Sequence, residues 1–153
     1  MKPSHLLFLS TILISASCKT EGGKDKKSSS ITGTWKLLSA TTVSAKDSTF
    51  TDYTKDQSMI KILNGTHFSF LKHNLKLNKD GKNEFDAGGG RYKLDGDNYV
   101  EYLDYYTDHN WEGKTFNFKV KLSNDTLIQT GVEKVEAAGI DRTITEKYLK
   151  VSN

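Results

Sequence analysis

From position 31 onward the chain is written in short alternating runs of apolar and polar residues, each closed by a turn signal. Phe116, Phe118, Val120 and Leu122 alternate with Asn117, Lys119 and Lys121, the period of two expected of a strand with one wet face. Runs rich in Thr, Tyr, Phe, Val and Ile predict strands at 33–43, 57–63, 66–72, 88–94, 97–106, 114–122, 126–135 and 141–151. Turns are predicted at Asn64-Gly65, Asp95-Gly96, Ser123-Asn124-Asp125 and Ala138-Gly139, where Asn, Asp and Gly tolerate the positive φ of tight hairpins. Longer connections fall at 44–56 and 73–87, and no proline interrupts the chain after Pro3.

One segment carries two periods. Tyr99, Tyr102, Leu103 and Tyr106 lie at helical spacing, whereas Tyr99, Glu101, Leu103 and Tyr105 alternate as in a strand. The preceding Asp-Gly turn and the poor helix propensity of Asn, Tyr and Val decide for strand. Register arithmetic then assigns faces. A two-residue turn at Asn124-Asp125 places Phe116, Phe118, Val120 and Leu122 on one face with Leu127, Gln129 and Gly131. A turn at Asp95-Gly96 pairs Tyr92 with Tyr99 and sets Gly90 opposite Glu101 and Gly89 opposite Tyr102. At Asn64-Gly65 a two-residue turn would put Lys61 on the face of Phe68 and Phe70, which suggests a longer loop and leaves that inner face unassigned. Eight such strands left open would expose two sheet edges, so an all-β, eight-stranded antiparallel up-and-down barrel is expected.

Composition narrows the function classes. The 153 residues carry 22 Lys+Arg against 19 Asp+Glu, a formal charge of +3, and scattered basic residues of so small an excess argue against a nucleic-acid partner. A single cysteine excludes an intrachain disulfide and a Cys-rich metal site. The first 17 residues combine Lys2, an apolar stretch from Leu6 to Ile14 and the small residues Ser15-Ala16-Ser17, with that one cysteine next, Cys18. The stretch is too short to span a bilayer and reads as a signal peptide. The junction resembles a bacterial lipobox, departing from it at Ser15 where Leu is usual, which implies acylation of Cys18 as the first residue of the exported protein. Residues 18–30 then form the lipidated cysteine and a flexible tether, since 19–30 contain no apolar residue to offset the entropy of ordering. The domain follows at 31–153, and the expected location is the bacterial cell envelope, lipid-anchored on the periplasmic or surface side.

Several short motifs along the domain point the same way. Gly33-Thr34-Trp35 resembles the Gly-x-Trp motif that opens lipocalins. Thr66-His67-Phe68, Ala87-Gly88-Gly89-Gly90-Arg91-Tyr92, Gly96-Asp97-Asn98-Tyr99-Val100-Glu101, Gly113-Lys114 and Asp125-Thr126-Leu127-Ile128 follow it. Together they resemble the small lipocalin-like domains of secreted bacterial lipoproteins, over about 31–151. The closing Glu146-Lys147-Tyr148-Leu149-Lys150 departs twice from the Glu-x-Trp-x-Arg end of such domains. The resemblance implies fold and location more than activity.

Candidate chemistry is sparse. Gly88-Gly89-Gly90 precedes a strand, not a helix, so it is no phosphate-binding loop; its expected role, with Gly33 and Trp35, is structural, leaving room beside Glu101. His109 and Glu112 share a loop without metal-ligand spacing, and Asp95-Gly96-Asp97 lacks the later Glu of a calcium loop. No Gly-x-Ser-x-Gly or His-Glu-x-x-His motif occurs, so no enzyme, metal or cofactor is expected. The expected function is capture of a small, hydrophobic or amphiphilic, partly apolar ligand inside the barrel. Phe116 and Phe118 would supply wall, and Tyr99, Glu101 and Gln129 would orient the polar end. Glu101 could instead be held structurally by a tyrosine or Arg91. The alternative is a non-enzymatic envelope interaction module with a packed, ligand-free barrel and exposed aromatics at Tyr102, Tyr106 and Trp111.

Overall fold

A computed structural model describes residues 30–152; the segments expected to form the signal peptide, the lipidated Cys18 and the tether up to residue 29 lie outside the described residues. The chain forms β1 (Gly33–Val43), β2 (Ser48–Asp52), β3 (Gln57–Leu63), β4 (His67–Asn74), β5 (Phe85–Asp95), β6 (Asn98–Tyr106), β7 (Thr115–Ser123), β8 (Thr126–Val135) and β9 (Ile140–Lys150). Each strand from β3 to β9 pairs antiparallel with the next, and β1 pairs with β9 from Trp35↔Lys150 to Val43↔Thr143, closing the sheet. With β9 along one edge of β1, the other edge is shared: β3 takes Gly33 to Lys36, and β2 takes Ser39 to Val43. β2 and β3 are thus two halves of one stave, and the barrel has the eight staves the sequence predicted. β2 itself lies in the connection expected to be irregular, because its Ser-Thr-Phe-Thr-Asp run is too short and too polar to announce a strand.

Turn chemistry fixes the hairpins. Asn124 stands at φ +50° between Ser123 and Thr126, and the predicted β7–β8 register holds, with Val120↔Gln129 and Phe118↔Gly131. The β5–β6 turn is displaced by one residue. Asp95 pairs with Asn98, so Gly96-Asp97 forms the turn, and Gly96 at φ +60° supplies the positive φ that the first central position of a primed turn needs. Tyr92 therefore pairs with Glu101 and Leu94 with Tyr99. A two-residue slip preserves the face, and the Tyr92 and Tyr99 rings still meet diagonally at 5.3 Å.

A bulge then changes the pattern. The β5–β6 register shifts between Gly89 and Gly90, so Gly90 opposes Leu103 while Gly89 opposes Tyr105, leaving Asp104 as the extra residue. Beyond it the alternation reverses: Tyr106 turns inward, and Tyr105 is 71% exposed. The double periodicity of 99–106 was the trace of this bulge. A Cβ on Gly90 would run into the Tyr102 carbonyl oxygen, and one on Gly88 would lie 2.8 Å from the Phe70 ring and 2.9 Å from Tyr106. The glycines thus admit close backbone and ring contacts, and do not open space beside Glu101.

The N-terminal end of the barrel is plugged. Trp35, at 0% exposure, donates from Nε1 to the Ile31 carbonyl at 2.7 Å, and Lys150 Nζ lies 5.5 Å from its ring centroid. Gly33, at φ +141°, lets the chain enter β1 against the Lys150 stem, whose Cε would sit 3.2 Å from an added Cβ.

Candidate functional site

Inside the barrel lies a cavity of about 190 Å³. Its floor falls between consecutive inward positions on each strand. Lys61 lines it and Leu63 does not; Glu101 lines it and Tyr99 does not; Gln129 and Glu146 line it, whereas Leu127 and Tyr148 lie beneath. Leu63, Leu127, Tyr99 and Tyr148 join Trp35 in the plug. The cavity extends from there toward the end carrying the long loops.

The floor is charged. Lys61, 3% exposed, donates from Nζ to Glu101 Oε1 at 2.7 Å and to Gln129 Oε1 at 3.1 Å. Its ammonium also lies 5.4 to 5.9 Å from the ring centroids of Tyr148, Phe68 and Tyr99, within cation–π range. Burial pulls the Lys61 pKa down, but the carboxylates of Glu101 and Glu146 outweigh it, and the net shift is upward. Lys61 is thus held charged although it is buried.

Lys61 was the residue that sequence reasoning set aside. Leu63↔Phe68 and Lys61↔Phe70 put it on the face of the two phenylalanines. The loop is longer than Asn64-Gly65, as expected, but the resulting slip of two residues keeps the face, so this lysine points inward. Its cost is met by partners on β6 and β8, at sequence distances of 40 and 68 residues. Glu101 accordingly pairs with Lys61 rather than with a tyrosine or Arg91. The Arg91 guanidinium binds Asp104 on the outside at 2.8 and 2.9 Å.

Glu146 was also missed. It faces Gln129 across the β8–β9 ladder and is half-buried, its accessible part turned to the cavity. Burial raises its pKa and the Glu101 charge adds to this, with Lys61 opposing. The neighbouring Tyr148 hydroxyl is buried without closing a hydrogen bond, as is that of Tyr99. Burial, and then Glu146, push the Tyr148 pKa well up; burial, and then Glu101, do the same for Tyr99.

Above the floor the wall is apolar, formed by Met59, Phe70, Leu103, Phe116, Phe118 and Ile144. At the mouth, Lys72 pairs with Asp86 at 3.0 Å, and Arg142 pairs with Glu133 at 2.7 Å. The Tyr106 hydroxyl donates to Asp86 at 3.3 Å, and burial with this carboxylate pushes its pKa up to about 12. Trp111, carried on the β6–β7 loop, packs edge-on to Tyr106 at 6.2 Å and under the Arg142 guanidinium at 6.0 Å. Every lumen cation is therefore matched by a carboxylate, and Glu146 is the carboxylate left over among the described residues.

Of the five residues expected to meet a ligand, Glu101, Phe116, Phe118 and Gln129 line the cavity, and Tyr99 lies below it. Of the three aromatics expected outside, only Tyr102 is, beneath Arg91 and Lys93. Tyr106 faces inward because of the bulge, and Trp111 because its loop folds over the mouth. His109 and Glu112 form an exposed pair at 2.9 Å, and no group of three metal-ligating side chains occurs among the described residues.

Closure, strand order and an open-ended lumen define an eight-stave, up-and-down antiparallel barrel. Among solved structures, the chain is similar to the crystal structure of a lipocalin-like protein from Bacteroides uniformis ATCC 8492. The two share 22% identity over 78% of this chain and 97% of that one, with a TM-score of 0.46. No family model matches the chain, and no curated protein matches it.

Proposed function

We propose that this protein is a lipid-anchored envelope protein whose barrel captures one small molecule with a polar end and a compact apolar body. The observation that carries the reading is the unfilled lumen of about 190 Å³, with a charged floor, an apolar wall and one open end. Pockets for drug-sized ligands start at about 300 Å³, whereas about 150 Å³ suffices for a benzene ring. The volume therefore suits a ligand of single-ring size, smaller than the amphiphile the sequence suggested. A buried Lys–Glu–Gln cluster is an expensive way to fill a core, and a binding floor gives it a use. Anchoring rests on Cys18, the single cysteine, following the apolar stretch and small residues.

Two measurements test the proposal. Calorimetric titration of single-ring probes bearing one polar group should detect binding, and Phe118→Trp should abolish it by filling the lumen while the barrel still unfolds cooperatively. No binding by any probe, together with higher stability of Phe118→Trp, would make the cavity a packing defect. For the anchor, Cys18→Ala should lose incorporation of labelled fatty acid and release the protein from membranes. Retention of both the fatty-acid label and membrane association would exclude lipidation at this residue.

A further inference from the structure

We propose, resting on the lumen reading above, that the ligand is a small primary amine, its ammonium received by Glu146 and its apolar body seated against Phe116 and Ile144. The charge pattern selects the sign. Lys61 is committed to Glu101 and Gln129, Lys72 to Asp86, and Arg142 to Glu133, each at 3.1 Å or less. An anion entering the cavity would find no unpaired cation and would have to displace Glu101 to reach Lys61, which is 3% exposed.

A cation meets the opposite situation. Glu146 lines the cavity with no ion-pair partner among the described residues, and the floor beside it holds a second carboxylate, Glu101. The polar neighbour of Glu146, the Tyr148 hydroxyl, is fully buried and closes no hydrogen bond of its own, so the polar groups of this corner are incompletely satisfied by the protein itself. The wall above them is aromatic. Phe70, Tyr106, Trp111 and Phe116 form a continuous chain with ring centroids 5.7 to 6.2 Å apart, offering ring faces to a cation on its way in. An ammonium suits the site better than a guanidinium, because its three donors sit on one compact head and the cavity is only about 190 Å³.

Three probes of nearly one shape separate the alternatives: phenethylamine, phenethyl alcohol and phenylacetate, each titrated calorimetrically into the protein at neutral pH. The amine should bind about tenfold or more tightly than the alcohol, the margin of a charge-assisted hydrogen bond, and the acid should bind weakest. Glu146→Gln should erase the amine's advantage and leave the alcohol unchanged, and Glu146→Asp should keep part of it. Equal binding of amine and alcohol, or tighter binding of the acid, would overturn the amine assignment while leaving the lumen as a binding site. Failure of all three to bind, together with higher stability of Phe118→Trp, would overturn both. If Glu146→Gln does not fold, the order of the three probes on the unsubstituted protein decides the assignment alone.

Discussion

At the scale of single residues, the interior is governed by one buried cation. The Lys61 and Glu101 side chains are 4% and 9% exposed, so neither can fall back on water when its partner is removed. Glu101→Leu and Lys61→Met should each destabilise the barrel by about 3–5 kcal/mol. The double replacement Lys61→Met with Glu101→Leu should recover most of that loss, since a buried ion pair is often no more stabilising than apolar residues of similar volume. Denaturant unfolding of the four proteins closes the cycle, and purely additive losses would show that the two residues act independently. The same cluster sets the alkaline limit. The unfolded chain releases protons from Tyr99 and Tyr148 near pH 10.0 and from Lys61 near 10.5, whereas the folded lumen raises all three. The folded state then binds more protons than the unfolded state, so stability should fall steadily above about pH 10. Unfolding midpoints that stay level up to about pH 11 would contradict this. Glu146 works in the acid range: its raised pKa means that stability declines as pH rises from 4.5 toward its folded value, and Glu146→Gln should remove that decline.

At the scale of elements, the β5–β6 pair shows how backbone geometry chooses which side chains enter the lumen. The bulge at Asp104 turns Tyr106 in and Tyr105 out, and it depends on close backbone approach at Gly90. An added methyl there would meet the Tyr102 carbonyl and lie 2.7 Å from the Asp104 amide nitrogen, both backbone atoms that cannot rotate away. Gly90→Ala should therefore cost about 2–3 kcal/mol and disturb the Tyr106–Trp111 contact at the mouth. Thermal unfolding and the near-ultraviolet dichroism of the aromatic residues report the two effects, and an unchanged spectrum would mean that the bulge survives without its glycine. The Lys61 hairpin gives the complementary case. Its loop is longer than Asn64-Gly65, as expected, with Leu63 opposite Phe68, and the two-residue slip leaves Lys61 on the face of Phe68 and Phe70.

At the scale of the whole molecule, one plugged end and one open end divide the labour. The plug carries stability through residues such as Trp35, Leu37 and Tyr148, all at 0% exposure, and the lumen above it gives up packing to keep polar groups and empty volume. Trp35→Ala should cost about 3–5 kcal/mol as a large-to-small core change, measured as the shift in unfolding free energy. A loss below about 1 kcal/mol would mean that the plug is not what holds the barrel shut.

Strand pattern, turn residues and the Gly33-Thr34-Trp35 start determined, without coordinates, the all-β class, eight staves and the inward faces of β7 and β8. Those are local properties: period two and turn chemistry are set by neighbours a few residues apart. Glu101, Gln129, Phe116 and Phe118 were legible as inward residues for the same reason. Tertiary structure alone decided that Lys61 belongs inside, because its partners come from β6 and β8 and only barrel closure brings them within 3.1 Å. It likewise decided that Tyr106 and Trp111 face the lumen, since a bulge and a folded loop leave no period to read. Above all it decided that Glu146 is unpaired, because an absence of partners is a property of everything that surrounds a side chain, and no stretch of sequence contains it.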